Sequence, residues 1–182
     1  MRFASLFLAV PLLLAAGCAD YRWTSGVPEE KRTVAVTVFE NRTVLAELGS
    51  EVTRCALREF QREGTFAIRR SGESSIEVQG VVKKASFGPI AYDRGHGMRA
   101  GEYRCFATAE VTVIDKDGGK VLLQGREYTS ETTVSAHGDL LTAKRDSVMR
   151  LAAELARQIV DDVLNYPYAG ANRSSGAGGN AR

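Results

Sequence analysis

The sequence predicts an α+β fold, a two-layer sandwich with two amphipathic helices packed on one face of a four-stranded, mainly antiparallel sheet. Three observations predict it: a valine-rich segment with the period of a strand, two long segments with the period of a helix, and two alternating segments joined by a turn signal. The predicted order is strand, helix, three strands, helix (β-α-β-β-β-α). Because the helices and the sheet are each apolar on one side, the two layers bury one another.

The first strand is predicted over residues 33–39, where Val34, Val36 and Val38 share one face. Asn41-Arg-Thr43 breaks the strand and offers a helix N-cap. In the first helix, residues 44–63, Gly49 costs about 1 kcal/mol relative to Ala, and Gly64 is placed to end the helix. The apolar residues of this helix recur at steps of three and four: Leu45, Leu48, Val52, Cys55, Ala56 and Phe60.

Three further strands are predicted over residues 75–87, 102–115 and 120–134. Asp117-Gly-Gly119 is a turn signal, so the last two strands form a hairpin. Asp139 is a good N-cap for a second helix that runs to Asn165, and Pro167 prevents its continuation. Its predicted apolar side consists of Leu140, Val148, Leu151, Ala152, Leu155, Ile159 and Val163.

The N-terminus predicts export. One positive charge at Arg2, an apolar run over residues 3–14 and small residues before Cys18 are typical of a secretory signal peptide. The run is shorter than the about 20 residues that a membrane-spanning helix needs. Ala15-Ala-Gly17 followed by cysteine resembles the bacterial lipobox, which implies cleavage before Cys18 and acylation of that residue, palmitate included. The alternative is an ordinary export signal with Cys18 incidental.

These features divide the chain into a signal peptide (1–17), a lipidated N-terminus and tether (18–32), a single α+β domain (33–167) and a disordered tail (168–182). The tail is small, polar and glycine-rich, so it cannot bury enough apolar surface to offset its ordering entropy. Asp does not directly follow Cys18, which favours the outer membrane. The net charge of +2 argues for no particular partner, and no nucleic-acid partner is predicted.

The sequence offers little for catalysis. The two histidines, His96 and His137, lie far apart, each beside glycine in a predicted loop. No C-x-x-C, H-E-x-x-H or G-x-S-x-G motif occurs. The glycine-rich stretch 95–101 lacks the order of a phosphate-binding loop and joins two strands. The sequence therefore predicts a protein that is not an enzyme, with no metal and no cofactor.

Two sets of residues remain as candidates. Cys55 and Cys105 both face the predicted helix–sheet interface, where they form a disulfide or pack as free thiols. Basic residues gather around the end of one strand, the loop that follows it and the start of the next strand: Lys83, Lys84, Arg94, Arg99 and Arg104. Such side chains could bind the phosphates of an acidic glycolipid. They could equally be solvated surface charge.

The chain resembles the LptE family. The resemblance rests on Tyr21-Arg-Trp23 soon after the cysteine, on a strand that runs into Phe39-x-Asn41-x-Thr43, and on the helix, three strands and long final helix that follow. It implies a non-enzymatic lipoprotein on the periplasmic face of the outer membrane. Such a protein partners the β-barrel LptD and contacts lipopolysaccharide during its assembly and transport to the outer leaflet.

The first motif also resembles lipoproteins that activate peptidoglycan synthases or build secretion channels. Those proteins tend to alternate strands and helices, whereas three consecutive strands favour LptE. The family's lipid-binding residues cannot be transferred to single positions here, because no local motif fixes the correspondence. Lys83, Lys84, Arg94 and Arg99 therefore remain candidates from charge clustering alone.

Overall fold

The computed structural model describes residues 26–93, 99–136 and 139–168. The elements within these residues follow one another as a short 3-10 helix Glu29–Lys31, β1 Thr33–Val36, β2 Glu40–Asn41, α1 Leu48–Glu63, β3 Ala67–Ile68, β4 Ile76–Asp93, β5 Arg99–Asp115, β6 Lys120–Ser135 and α2 Leu140–Leu164. The α+β class and the order of the long elements are as the sequence predicts.

The sheet is larger and more mixed than the predicted four strands. Its order is β3-β1-β4-β5-β6, and β2 pairs with β4 beyond the end of β1. β1 runs parallel to β3 and β4, and β2 runs parallel to β4, while β4, β5 and β6 are antiparallel. The two strands that the sequence missed, β2 and β3, are two residues long, which is too short for a period-2 pattern to register.

The hairpin of β4 and β5 is longer than predicted. Pairing continues to Asp93 opposite Arg99, so most of the predicted loop 88–101 is strand. β6 follows β5 only as far as Ser135 opposite Glu102, so the tip of the hairpin is a two-stranded ribbon. The rings of Phe87 and Tyr103 stack at its base, with centroids 4.5 Å apart.

Both helices pack on the same face of the sheet and against each other. The first helix begins at Leu48 rather than at Val44, yet Leu45 in the preceding turn is still buried. Gly64 ends α1 at φ 72°, where its N–H donates to the carbonyl of Phe60. The predicted boundary at Gly64 is therefore confirmed.

α2 begins as predicted, because the carboxylate of Asp139 accepts a hydrogen bond from the N–H of Leu141 at 2.9 Å. The predicted apolar side of the helix is buried except at its first residue, since Leu140 is 51% exposed.

The folded domain extends beyond its predicted ends. Val27 is buried, and its carbonyl accepts a hydrogen bond from Nε of Arg32. Lys31 Nζ lies 2.6 Å from a carboxylate oxygen of Asp115 at the end of β5. Residues 26–32 are thus packed rather than a free tether. At the other end Tyr168 is buried and its hydroxyl donates to the carbonyl of Val163, so the tail begins no earlier than residue 169. The predicted signal peptide, Cys18 and the rest of the tail lie outside the described residues.

Candidate functional site

Among the described residues, no helix lies on the face of the sheet away from α1 and α2, the open face. Along β5, Cys105, Ala107 and Ala109 are buried under the helical layer, whereas the alternate residues Phe106 and Glu110 point the other way. Phe106 is 38% exposed on this open face.

The four basic residues predicted as candidates are brought together only in part. Lys83 forms an ion pair with Glu110 of β5, which places it on the open face. Lys84 is exposed and has no ion pair with the described residues. A register shift separates Val82 from Lys84 in the pairing with β5. Arg94 lies outside the described residues, and Arg99 opens β5 with a side chain that is likewise outside them.

Arg104, which the sequence also places in this basic group, lies on the same open face, where its Nε is 3.0 Å from a carboxylate oxygen of Glu131 on β6. Two of the cations near the start of the ribbon are therefore neutralised by neighbouring strands. Of Lys83, Lys84 and Arg104, Lys84 is the one without an ion pair to the described residues. The role proposed for the basic cluster in lipid binding stays a prediction.

The two cysteines are buried as predicted, but they are free, so the disulfide alternative is not formed. Cys105 lies beneath α2, where it contacts Ser147, whereas Cys55 lies on α1 beside Arg58. Burial raises the pKa of both thiols, which disfavours their reactive thiolate forms. Both act as small apolar residues of the core.

The described parts of the chain hold no group of three or more His, Cys, Asp or Glu side chains placed to bind a metal ion. His96 and His137, the histidines weighed in the sequence, lie outside those parts. Among the helices that the structure describes, none is long and apolar enough to cross a membrane.

A groove that the sequence did not reveal lies at the N-terminal ends of the two helices. Its volume is about 210 Å³, and its walls come from residues 44–47 before α1 and from the first turns of α2. The α2 residues are Leu141, Lys144, Arg145 and Val148. Val44 and Leu141 on its rim are 79% and 70% exposed. The available signal was a pair of leucines followed, one helical turn later, by two cations.

Comparisons with known proteins relate this chain to a protein family and to solved structures. The family model described as LptE, lipopolysaccharide-assembly, matches residues 32–165. A search of curated proteins finds no match.

Among solved structures, a candidate lipoprotein from Caulobacter crescentus has a TM-score of 0.50 and 16% identity over 75% of this chain and 91% of its own. A hypothetical protein from Chlamydia trachomatis has a TM-score of 0.51 and 15% identity over 76% and 99%. A protein from Xanthomonas campestris has a TM-score of 0.52 and 9% identity over 74% and 84%. At such identities these likenesses concern the fold alone.

The family match begins just before β1 and ends just after α2, so it takes in every long element of the domain. It also includes the Phe39-x-Asn41-x-Thr43 motif on which the resemblance rested. Because the match covers well over half of the sequence, the chain belongs to the LptE family of lipopolysaccharide-assembly proteins.

Proposed function

We propose that this protein is an outer-membrane lipoprotein that partners an LptD-like β-barrel and, without catalysing a reaction, assists the assembly of lipopolysaccharide and its transport to the outer leaflet. The observation that carries the proposal is the family match over residues 32–165. LptE proteins are in general not enzymes, which agrees with the sparse chemistry of the sequence.

The attachment of the N-terminal segment supports a role close to a membrane surface. Lys31 is held by Asp115, and Val27 is buried, so the chain is fixed to the domain from that point on. Cys18 precedes Gly26 by eight residues, a reach of at most about 28 Å. If Cys18 carries the acyl chains, the domain stays near the membrane without crossing it.

The open face of the sheet supports a protein partner. It presents an exposed aromatic ring, Phe106, between two cross-strand ion pairs, Lys83–Glu110 and Arg104–Glu131. Aromatic and arginine side chains are enriched at protein interfaces. We assign this face to the barrel wall, and Lys84 with Arg94 and Arg99 to contacts with the lipid or the partner near the ribbon.

The proposal is tested by depleting the protein from cells and labelling newly made lipopolysaccharide. We expect surface-exposed lipopolysaccharide to fall while total synthesis continues, and the barrel protein to accumulate in an incompletely assembled form. Normal surface lipopolysaccharide would contradict the proposal. A loss of peptidoglycan synthesis instead would move the function to the activator class of lipoproteins.

A further inference from the structure

The segment just before β1, residues 26–31, folds back onto the domain although it belongs to no strand of the sheet. We call this segment the strap. Val27 near its start is 1% exposed, and its carbonyl accepts a hydrogen bond from Nε of Arg32 at 3.2 Å. The 3-10 helix Glu29–Lys31 that follows has no buried residue. The strap therefore contributes one buried apolar side chain, Val27, to the core.

Polar contacts with two other parts of the chain hold the strap closed. Lys31 Nζ lies 2.6 Å from a carboxylate oxygen of Asp115 at the end of β5, and 3.4 Å from one of Asp117 in the turn that follows. The side chains of Lys31 and Asp115 are 17% and 14% exposed, so water and salt screen this pair less than a surface pair. The hydroxyl of Ser75, just before β4, donates to the carbonyl of Glu30 at 2.8 Å.

The backbone of the strap is independent of the sheet. Sheet pairing begins at Arg32, whose carbonyl accepts a hydrogen bond from the N–H of Ala67 at 2.8 Å. Before that residue, the backbone hydrogen bonds within the described part of the chain join the strap only to itself and to Arg32. Segments with few buried apolar contacts and no ladder to their neighbours open at a much lower cost than the core does.

We propose that the strap is a releasable device that sets the length of the tether between the domain and its lipid anchor. The proposal rests on the acylation of Cys18 in the proposed function. With the strap closed, the tether runs from Cys18 to Gly26, eight residues on, a reach of at most about 28 Å. With the strap open, it runs to Arg32, fourteen residues on, and the reach rises to at most about 50 Å.

The two tether lengths have different consequences for binding a partner in the same membrane. A short tether raises the effective concentration of the domain at any site that it can span, and a longer tether lowers that concentration but spans more distant sites. The closed strap also fixes the point where the tether leaves the domain, because Lys31 is held beside the turn that contains Asp117. The closed strap therefore keeps the domain beside its anchor, and the open strap lets it reach farther.

The first experiment measures opening of the strap in the full-length, membrane-bound protein. A Val27→Cys variant, in which the small apolar thiol takes the place of valine, is treated with a maleimide, and mass spectrometry follows the label at each cysteine. Cys55 and Cys105 are buried free thiols of the core, so their labelling reports opening of the whole domain. We expect position 27 to react about tenfold faster than either core thiol. Equal rates at all three positions would overturn the proposal, because the strap would then open only together with the core.

The contacts that close the strap are tested in the same Val27→Cys background. Lys31→Ala should speed labelling at position 27 about tenfold and leave the core thiols unchanged. Lys120→Ala is the matched control, since Lys120 is exposed and lies opposite Asp115 in the hairpin, and it should change nothing. If Lys31→Ala also exposes the core thiols, Ser75→Ala, which removes the hydroxyl that holds the strap's backbone, carries the test with the same expectation. An unchanged rate at position 27 would overturn the proposal.

The tether length is tested with the full-length protein in vesicles of outer-membrane lipids whose headgroups carry a quencher. A dye at Glu73→Cys, an exposed position of the domain, should be quenched about twofold less in Lys31→Ala than in the protein with an intact strap. Six Gly and Ser residues inserted after Ala19 should have the same effect with the strap intact, because they lengthen the tether equally. Undiminished quenching in Lys31→Ala beside reduced quenching in the insertion variant would overturn the proposal. Cys18→Ala separates the two proposals, since a dye that stays quenched in that variant would reject the lipid anchor of the proposed function.

Discussion

The ring of Phe39 lies against Gly80 of β4, in the space that a side chain at position 80 would fill. Phe39 is 2% exposed, and its backbone N–H donates to the hydroxyl of Thr53 on α1. Two residues later, Asn41 donates from its amide to the carbonyls of Leu45 and Ala46. The Phe-x-Asn-x-Thr motif therefore joins the first strand, the central strand and the first helix.

Gly80→Ala should destabilise the protein, because the new methyl group would overlap the Phe39 ring. Overpacking of this kind costs about 1–3 kcal/mol. The free energy of unfolding, measured by denaturant titration, checks it. Gly88→Ala is the matched control on the same strand, since nothing lies within 4 Å of its added methyl group. Equal stability of the two variants would contradict the packing described for Phe39.

Gly49→Ala should also destabilise, although Ala is the better helix former by about 1 kcal/mol. A methyl group on Gly49 would lie 2.6 Å from the carbonyl oxygen of Phe39, so the backbone would have to move. Gln61→Ala, exposed on the same helix, should change stability little. A stabilised Gly49→Ala variant would show that the helix does not approach Phe39 this closely.

The free energy of unfolding should fall in acid, partly because the carboxylate of Asp115 becomes protonated. Burial alone would raise the pKa of its carboxyl, but hydrogen bonds from Lys31 and from the N–H of Gly118 outweigh it and hold the pKa below the ordinary 3.8. Because the pKa of this carboxyl is lower in the folded state, the ionised carboxylate stabilises the fold at pH values above the unfolded-state pKa. This stabilisation is lost as the pH falls through the folded-state pKa. Between about pH 5 and pH 3, Asp115→Asn should therefore lose less stability than the wild type. The exposed Asp146→Asn should behave as wild type, and parallel curves for all three would contradict the Lys31–Asp115 clamp.

Cys55 and Cys105 should remain free thiols in the exported protein. Because both are buried and burial raises their pKa, alkylation of the native protein should be slow, and denaturation should expose both to rapid labelling. Mass spectrometry after each treatment counts the labels. Failure to label either residue in denaturant without reductant would mean that they are bonded.

Cys18→Ala should release the protein from membranes into the aqueous fraction, since the proposed acyl chains would be absent. Ala19→Ser, which keeps the cysteine, should remain bound. Membrane retention of the Cys18→Ala variant would contradict the lipid anchor.

The long elements could be predicted because each repeats its period several times. Helix caps at Gly64 and Asp139 are local signals, and both are confirmed. The two-residue strands β2 and β3 carry no period of their own and exist through their pairing with β4 and β1. Gly49 lowers the stability of a helix considered alone. Glycine is nevertheless needed at this position, because the carbonyl of Phe39 lies too close for a side chain.

The groove escaped prediction for a similar reason. Val44 and Leu141 are nearly a hundred residues apart, and only the parallel packing of the two helix starts brings them together. Leu140 fits the apolar period of α2 but is 51% exposed. The period of the sequence identifies the apolar face of a helix but does not show how much of that face is covered by other elements.

The most direct test of the central claim is affinity purification of the native protein from detergent-solubilised outer membranes, followed by mass spectrometry. We predict that a large β-barrel protein of the LptD type is recovered in an amount equal to the bait. Recovery of a peptidoglycan synthase, or of copies of the protein alone, would contradict a role as the barrel's partner in lipopolysaccharide assembly.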